Sequence, residues 1–350
     1  MTTRFTTLAD LLNHRFDAVI DVRSPAEFAE DHVPGAINLP ALSNAQRAEV
    51  GTIYVQESSF KARKVGAGLV ARNVADHLDG PLKDKDGGWQ PLVYCWRGGQ
   101  RSGSFASILT QIGWRAKVLD GGYQSFRSLV HACLYEKNVP HRLVLLDGNT
   151  GTAKTDILHL LEQRGVQTLD LEGLANHRGS LLGTMEGGQP SQKAFETSLA
   201  CALARLDPAR PVFVEAESSK IGARIVPPSL WSAMKAAPRI EIEATLDMRA
   251  EYLAEAYADL SRDRDTFSTK LEVLRRHRGG LVDGWLAQLK ARAYKALAKG
   301  LMEDHYDPTY RASRTRHSAE VLKTFVATGL AEDGRKDLAV RIAEWVASLK

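Results

Sequence analysis

Pro91 to Ile112 reads PLVYCWRGGQRSGSFASILTQI. The run Pro91 to Tyr94 is a short apolar strand, and Phe105, Ile108, Leu109 and Ile112 recur at helical spacing. Between strand and helix lie Cys95, the pair Gly98–Gly99, Arg101 and Ser102. A thiol at the mouth of such a helix faces backbone N–H groups and the positive end of the helix dipole, and both favour the thiolate. Cys95 is therefore the candidate nucleophile. Five residues separate it from Arg101, so the loop can close around a tetrahedral oxyanion, with Arg97, Arg101 and the amides of Gly98 and Gly99 as donors. A small buried cysteine ending a strand is the other reading, and it requires neither the glycines nor the arginines.

Upstream, Ala18 to Val22 reads as a buried strand containing Asp21, and Arg23-Ser24-Pro25 starts a helix through Phe28. A turn at Pro34-Gly35 precedes a short strand, Ala36 to Leu39. Downstream, Lys117 to Leu119 is the last strand of this set, with Asp120-Gly121-Gly122-Tyr123 as its exit turn. Strands alternating with helices argue for a parallel α/β sheet, whose ligands collect at the carboxyl ends of the strands. Gln46 to Arg72 is long for a connection. On charge alone its Arg47, Lys61, Arg63, Lys64 and Arg72 read as a solvated helix face.

The ordered set DVRSPAEF, HVPGAINLP, a strand ending in cysteine and VLDGGYQSF resembles the rhodanese family over about the first 135 residues, and the first domain is placed at 1–137. The resemblance implies that Cys95 carries a transferred chalcogen and that Asp21 and Arg23 brace the loop; a buried ion pair is the alternative for those two. Cys-x5-Arg followed by Ser102 is also the arrangement of rhodanese-fold phosphatases. The loop is a residue longer than in many sulfurtransferases, which suits a bulkier, phosphorus-bearing donor.

The chain has 350 residues, enough for two domains, with 44% hydrophobic and 25% charged residues, as in a soluble globular protein. A net charge of +4 permits a nucleic-acid or phosphorylated partner without demanding one. Cys95, Cys133 and Cys201 are odd in number and widely spaced, which excludes a disulfide framework and a CxxC metal pair and suits a reducing compartment. With no apolar run of membrane-spanning length and no signal-peptide core at the start, the expectation is a cytoplasmic protein without a membrane partner.

Glu136 to His141, punctuated by Asn138 and Pro140, reads as a linker, so the second domain is placed at 138–350. It opens with the apolar strand Leu143 to Leu146 and the loop DGNTGTAKTDILHLL. Gly148, Asn149, Thr150, Gly151, Lys154 and Thr155 fit a P-loop, whose amides, lysine and helix N-terminus converge on phosphate. Ala153 stands where the motif has its second glycine; a helical conformation there would tolerate the methyl group, a left-handed one would strain it. Pro211 to Glu215 is an apolar strand ending in Glu215, and Glu215 or Glu217 could hold a metal or water on the phosphate; a polar strand end facing solvent is the alternative. Between Arg262 and His317 there are thirteen Lys and Arg against seven Asp and Glu. That excess, with Leu286, Leu289, Ala293 and Leu297 at helical spacing, reads as a basic helical appendage able to lie along RNA phosphates. Tyr294, Tyr306 and Tyr310 are either base-stacking surfaces or core. Leu338, Ile342, Trp345 and Leu349 mark a final packing helix.

The fold expected is thus α/β throughout: an N-terminal rhodanese-like parallel-sheet domain, then a P-loop NTPase-like α/β domain with a helical basic appendage. VGTIYVQESSFKARKVGAGLV, CWRGGQRS, GNTGTAKT, HRGSLLG, QPSQKAFE, VEAESSKIG and HYDPTY, in that order, closely resemble the bacterial tRNA 2-selenouridine synthase family along nearly the whole chain. The resemblance implies replacement of sulfur by selenium from selenophosphate in a wobble 2-thiouridine, through an S-geranylated tRNA made with geranyl diphosphate. It implies tRNA, in its anticodon region, as partner, with the P-loop cradling the diphosphate and Cys95 taking selenium. Selenophosphate and geranyl diphosphate enter as substrates, no tightly bound cofactor or protein-held metal is expected, and Mg²⁺ is admitted. Arg178, Gln192, Glu215, Lys220 and Arg224 are candidate substrate or tRNA contacts. The competing readings are a Cys-x5-Arg phosphatase, or a sulfurtransferase with a nucleotide-binding regulatory domain.

Overall fold

The structure, a computed structural model, describes residues 1–180, 182–256, 264–309 and 319–348. The chain divides into two compact units, one formed by 1–137 with 190–205, the other by 138–189 with 206–350. The helix Gln192–Arg205 thus belongs by its contacts to the first unit, although its sequence lies within the stretch assigned above to the second domain.

In the first unit, β1 (Thr2–Thr3), β2 (Ala18–Asp21), β3 (Ile37–Asn38), β4 (Pro91–Tyr94) and β5 (Lys117–Leu119) form a parallel sheet in the order β1-β5-β4-β2-β3. β2 and β4 are buried on both faces, and apolar apart from Asp21 at the end of β2, because helices cover both sides of a parallel sheet. Ile20, Val22, Val93, Phe105, Leu109 and Val118 form the core, with Trp89 set edge-on to Trp114. The opening residues add an edge strand that the sequence reading passed over. Gln46 to Arg72 is not a loop: the helices Asn44–Gln56 and Ser59–Asp79 occupy it. Ile112, expected on the buried face of the helix Gln100–Ile112, is half exposed at its end.

The second unit holds β6 (Leu143–Gly148), β7 (Gln167–Leu169), β8 (Val212–Glu215), the small antiparallel pair β9 (Lys220–Ile221) and β10 (Arg224–Ile225), β11 (Arg239–Glu243) and β12 (Val321–Val326). Its main sheet is parallel, in the order β12-β11-β6-β8-β7. The chain leaves β6 toward β7 and β8 on one side and later fills the other with β11 and β12. The carboxyl end of β6 is therefore a switch point, where open α/β sheets bind ligands. Leu146, Ile157, Phe213, Ile240, Phe325 and Leu338 pack this sheet against its helices.

The expected appendage is helical, with a core of Phe267, Leu271, Val282, Trp285, Leu289, Leu297 and Leu301. Its continuous leucine spacing is broken into Leu281–Lys290 and Tyr294–Leu301 by Arg292, whose φ is +58°. Tyr294 and Tyr306 pack against this core and are not free stacking platforms; Tyr310 and Leu349 lie outside the described residues.

Candidate functional site

Each unit places its candidate loop at the carboxyl end of a central strand. Cys95 follows β4 and is buried, and the Ser102 hydroxyl donates a hydrogen bond to its Sγ at 3.1 Å. Burial alone would push the thiol up. The Ser102 hydroxyl, the amides of Ser102 and Arg97 and the charge of Arg101 outweigh it, so Cys95 titrates below an ordinary cysteine. Cys133 and Cys201 are both pushed up by burial, Cys201 to about 11. Only Cys95 has the surroundings of a nucleophile among the three cysteines.

The loop is held tightly enough that two glycines are obligatory. Gly98 has φ +69°, and a Cβ there would sit 2.7 Å from the Leu119 carbonyl oxygen. Gly122, φ +57°, approaches so closely that its Cβ would fall 2.3 Å from the Cys95 oxygen. The next two amides, of Tyr123 and Gln124, donate to the carbonyls of Cys95 and Trp96 at 2.8 and 3.0 Å. Arg97 is exposed, its Nε donating to Gln124 at 3.2 Å. Arg101 donates to Glu27 at 2.9 Å, and Arg47 reaches the same oxygen at 3.0 Å. Burial would raise Glu27, yet Arg101, the Ser24 amide and Arg47 hold it below the usual carboxylate range. A carboxylate kept ionised in this way is a poor proton donor, which weakens the phosphatase reading of the loop.

Asp21 and Arg23 form a buried ion pair, with Arg23 Nη2 at 2.6 Å from both Asp21 Oδ2 and the Asp31 carbonyl oxygen. The guanidinium lies 3.8 Å from the Tyr123 ring centroid, and Tyr123 donates to Asp31 at 2.7 Å. The pair therefore supports the loop through Tyr123 and does not reach Cys95 itself. Breaking one partner of such a pair costs on the order of 3–5 kcal/mol.

In the second unit Gly148 ends β6, Gly151 has φ +86°, and the helix Lys154–Glu162 starts directly after Ala153. Ala153 has φ +56° and ψ +33°, left-handed and not helical, so its methyl group is strained and buried among the core side chains. Lys154 Nζ donates to the Gly148 carbonyl at 2.9 Å, spanning the loop. Thr155 donates to Glu172 at 2.8 Å. A contact absent from any local pattern fixes the loop from below: Arg249 donates to the Thr150 carbonyl at 3.1 Å and grips Asp307 with two bonds of 3.0 and 2.9 Å. Asp307 belongs to the HYDPTY stretch, which thereby acquires a structural role.

The loop opens into a cleft of about 950 Å³ lined by Lys154, Thr155, Glu172, Arg178, Glu217 and Tyr306, among others. Beside it lies an apolar pocket formed by Leu182, Leu253, Phe267, Leu297, Leu301 and Met302. Thr150, Ser180, Leu253 and Tyr306 line both. Of the further candidates, Arg178 lines the cleft. Glu215 is fully buried, accepting from the Leu171 amide at 3.2 Å, and does not line the cleft. Burial, Asp170 and Glu172 push Glu215 well up. Lys220 and Arg224 sit on the β9–β10 pair and do not line the cleft, and Gln192 bonds Glu196 within the first unit. Glu172 is not singled out by the sequence, although its place three residues beyond the carboxyl end of β7 is a recognisable signal.

Burial and the neighbouring Glu172 raise Glu217 to about 8, against the pull of Lys154. The folded chain thus keeps a proton that the unfolded chain releases in the ordinary carboxylate range. While Glu215, also pushed up, adds a decline of its own, the contribution of Glu217 to stability should fall as pH rises from that range to about 8, then level off. Glu217→Gln is expected to flatten this decline and to be more stable than the parent at pH 8.5 by on the order of 1–2 kcal/mol, or about 2–8 °C in melting temperature. Melting curves from pH 5.5 to 8.5 check this; parallel declines in both proteins would refute it.

Residues 5–129 match the rhodanese-like domain model, and residues 141–279 match the model described as the tRNA 2-selenouridine synthase AAA domain. A tRNA 2-selenouridine synthase of Alcanivorax borkumensis is 33% identical over 87% of this chain and 91% of its own. Those of Chromohalobacter salexigens and Cupriavidus necator are 32% and 33% identical, each over 87% of this chain and 90% of the relative. With both domains matched in order and relatives aligned along most of its length, the chain belongs to the tRNA 2-selenouridine synthase family and is an enzyme of that kind.

Proposed function

We propose that this protein replaces the sulfur of a wobble 2-thiouridine in tRNA by selenium, in two steps assigned to its two units, in the cytoplasm. In the second unit the thiouridine sulfur attacks the first carbon of geranyl diphosphate. A C–S bond forms, the C–O bond breaks, and the electron pair leaves with diphosphate. Charge growing on that leaving group is met by the loop Gly148 to Thr155, by Lys154 and by the N-terminus of its helix. The observation that carries this reading is the apolar pocket beside the phosphate loop. An isoprenoid diphosphate needs both surfaces, and Thr150 and Ser180 border both; the pocket, about 50 Å³ as it stands, takes the end of the chain only if its side chains move apart.

In the first unit the Cys95 thiolate handles selenium delivered as selenophosphate, with Arg97, Arg101 and the amides of Gly98 and Gly99 around its phosphate part. The thiolate attacks the phosphorus, an S–P bond forms, the P–Se bond breaks and hydroselenide leaves with the electron pair; it adds at C2 of the uridine as geranylthiolate leaves, and water then releases phosphate from Cys95. Alkylation thus serves to turn the sulfur into a leaving group. Among the described residues no group of three or more His, Cys, Asp or Glu side chains is arranged to hold a metal. A Mg²⁺ would be held chiefly by the substrate diphosphate, with Thr155 and Glu172 as the protein oxygens at hand. No helix among the described residues is long and apolar enough to cross a membrane.

Calorimetric titration with geranyl diphosphate, inorganic pyrophosphate and ATP tests the assignment of the second unit. Geranyl diphosphate should bind at least about tenfold more tightly than pyrophosphate, because the chain adds apolar burial to the same phosphate contacts. ATP binding tighter than geranyl diphosphate would favour a nucleotide-responsive regulator instead.

A further inference from the structure

The helices Asn44–Gln56 and Ser59–Asp79 pack against each other and are joined by only Glu57 and Ser58, which makes them a helical hairpin. Ser58 caps the second helix, accepting from the Lys61 amide at 3.0 Å. The first helix, thirteen residues long, has no buried residue. Its inner stripe, Gln46, Val50 and Ile53, is half-buried against the second helix and the core, so the apolar side chains beyond that stripe are left to solvent. The end of the first helix carries Tyr54 and Val55 and the start of the second carries Phe60, and these are 61%, 83% and 71% exposed. Three large apolar side chains within seven residues at a tip, none contributing to the core, form a surface patch of the kind that marks an interaction site.

The composition around the patch indicates its partner. Between Tyr54 and Lys64 stand Lys61, Arg63 and Lys64 against the single acid Glu57, which pairs with Lys61. Arg63 and Lys64 follow Phe60 by three and four positions, so they share its side of the helix, and both are exposed. Aromatic rings flanked by cations bind unpaired nucleotides, the rings stacking on bases and the cations meeting phosphates. Charge alone makes this stretch an ordinary solvated face. The exposed aromatic side chains change that reading.

We infer that the tip of this hairpin is an RNA-docking surface, on which Tyr54 and Phe60 stack against unpaired bases of the substrate tRNA while Arg63 and Lys64 contact its phosphates. The inference rests on the proposal that tRNA is the substrate.

The test uses the full-length chain, a fluorescently labelled 2-thiouridine tRNA and anisotropy titrations at several salt concentrations. Three proteins are compared: the parent, Tyr54→Ala/Phe60→Ala, and Arg63→Ala/Lys64→Ala. Geranyl diphosphate binding and the melting curve are measured alongside, and both should match the parent because none of these side chains is buried or lies in either candidate loop. Loss of the two rings should weaken tRNA binding about 10- to 100-fold and raise the KM for tRNA with little change in kcat. Loss of the two cations should reduce the slope of log affinity against log salt by about 1–2. Parent-like tRNA affinity and salt slope in both variants would overturn the inference. So would sedimentation showing that the parent self-associates through these side chains and the variants do not, which would make the patch a contact between copies. A parent protein that binds no tRNA would instead sink the substrate proposal beneath it.

Discussion

Cys95→Ser is expected to lower selenium incorporation by about 10⁴-fold or more, while geranylation of the same tRNA continues at the parent rate. The two side chains are nearly isosteric, and the site is already polar: the Ser102 hydroxyl lies 3.1 Å from the sulfur. The loop should therefore keep its shape. What is lost is the anion, because the depressed thiol titration depends on sulfur with the Ser102 contact, two amides and Arg101 around it. A hydroxyl in the same place stays protonated and a far weaker nucleophile. Mass spectrometry of the tRNA product separates the two steps. Undiminished selenation by the serine variant would remove Cys95 from the mechanism, whatever the state of geranylation.

Lys154→Ala should act on the other step, reducing geranylation about 10²- to 10³-fold and leaving selenium transfer to pre-geranylated tRNA intact. The ammonium spans the loop to the Gly148 carbonyl, where a diphosphate oxygen would meet it together with the loop amides. Its contribution grows as charge develops on the departing diphosphate, so the loss should appear in kcat as well as in affinity. Alanine is a strong helix former, and position 154 begins a helix, so the fold should survive. Parent-like geranylation in this variant would move the alkyl transfer away from the P-loop. Selenation lost together with geranylation, even on pre-geranylated tRNA, would contradict the division of steps between the units.

The parts of this architecture that follow from short-range pattern were legible in the chain itself. β4 with Cys95, and β6 with Gly148 to Lys154, each combine an apolar strand, a glycine-bearing turn and a helix with 3.6-residue periodicity. What the sequence concealed is made by distant partners. Glu27 reaches Arg101 across 74 positions, Arg249 reaches Thr150 across 99, and nothing local to either residue announces the meeting. The apolar pocket draws Leu182, Leu253, Phe267 and Leu297 from separate segments, each of which reads alone as ordinary core. Ala153 shows the limit of propensity: alanine favours a helix, yet the loop needs a left-handed residue there, and the surrounding contacts impose it. Gln192 lies on a helix that packs with the other unit, which adjacency in sequence could not reveal.

The most direct measurement is mass spectrometry of a 2-thiouridine tRNA incubated with the purified protein and geranyl diphosphate, before and after addition of selenophosphate. The tRNA should gain one geranyl group in the first stage, then lose it with selenium in place of sulfur in the second. A tRNA whose mass is unchanged through both stages would contradict this.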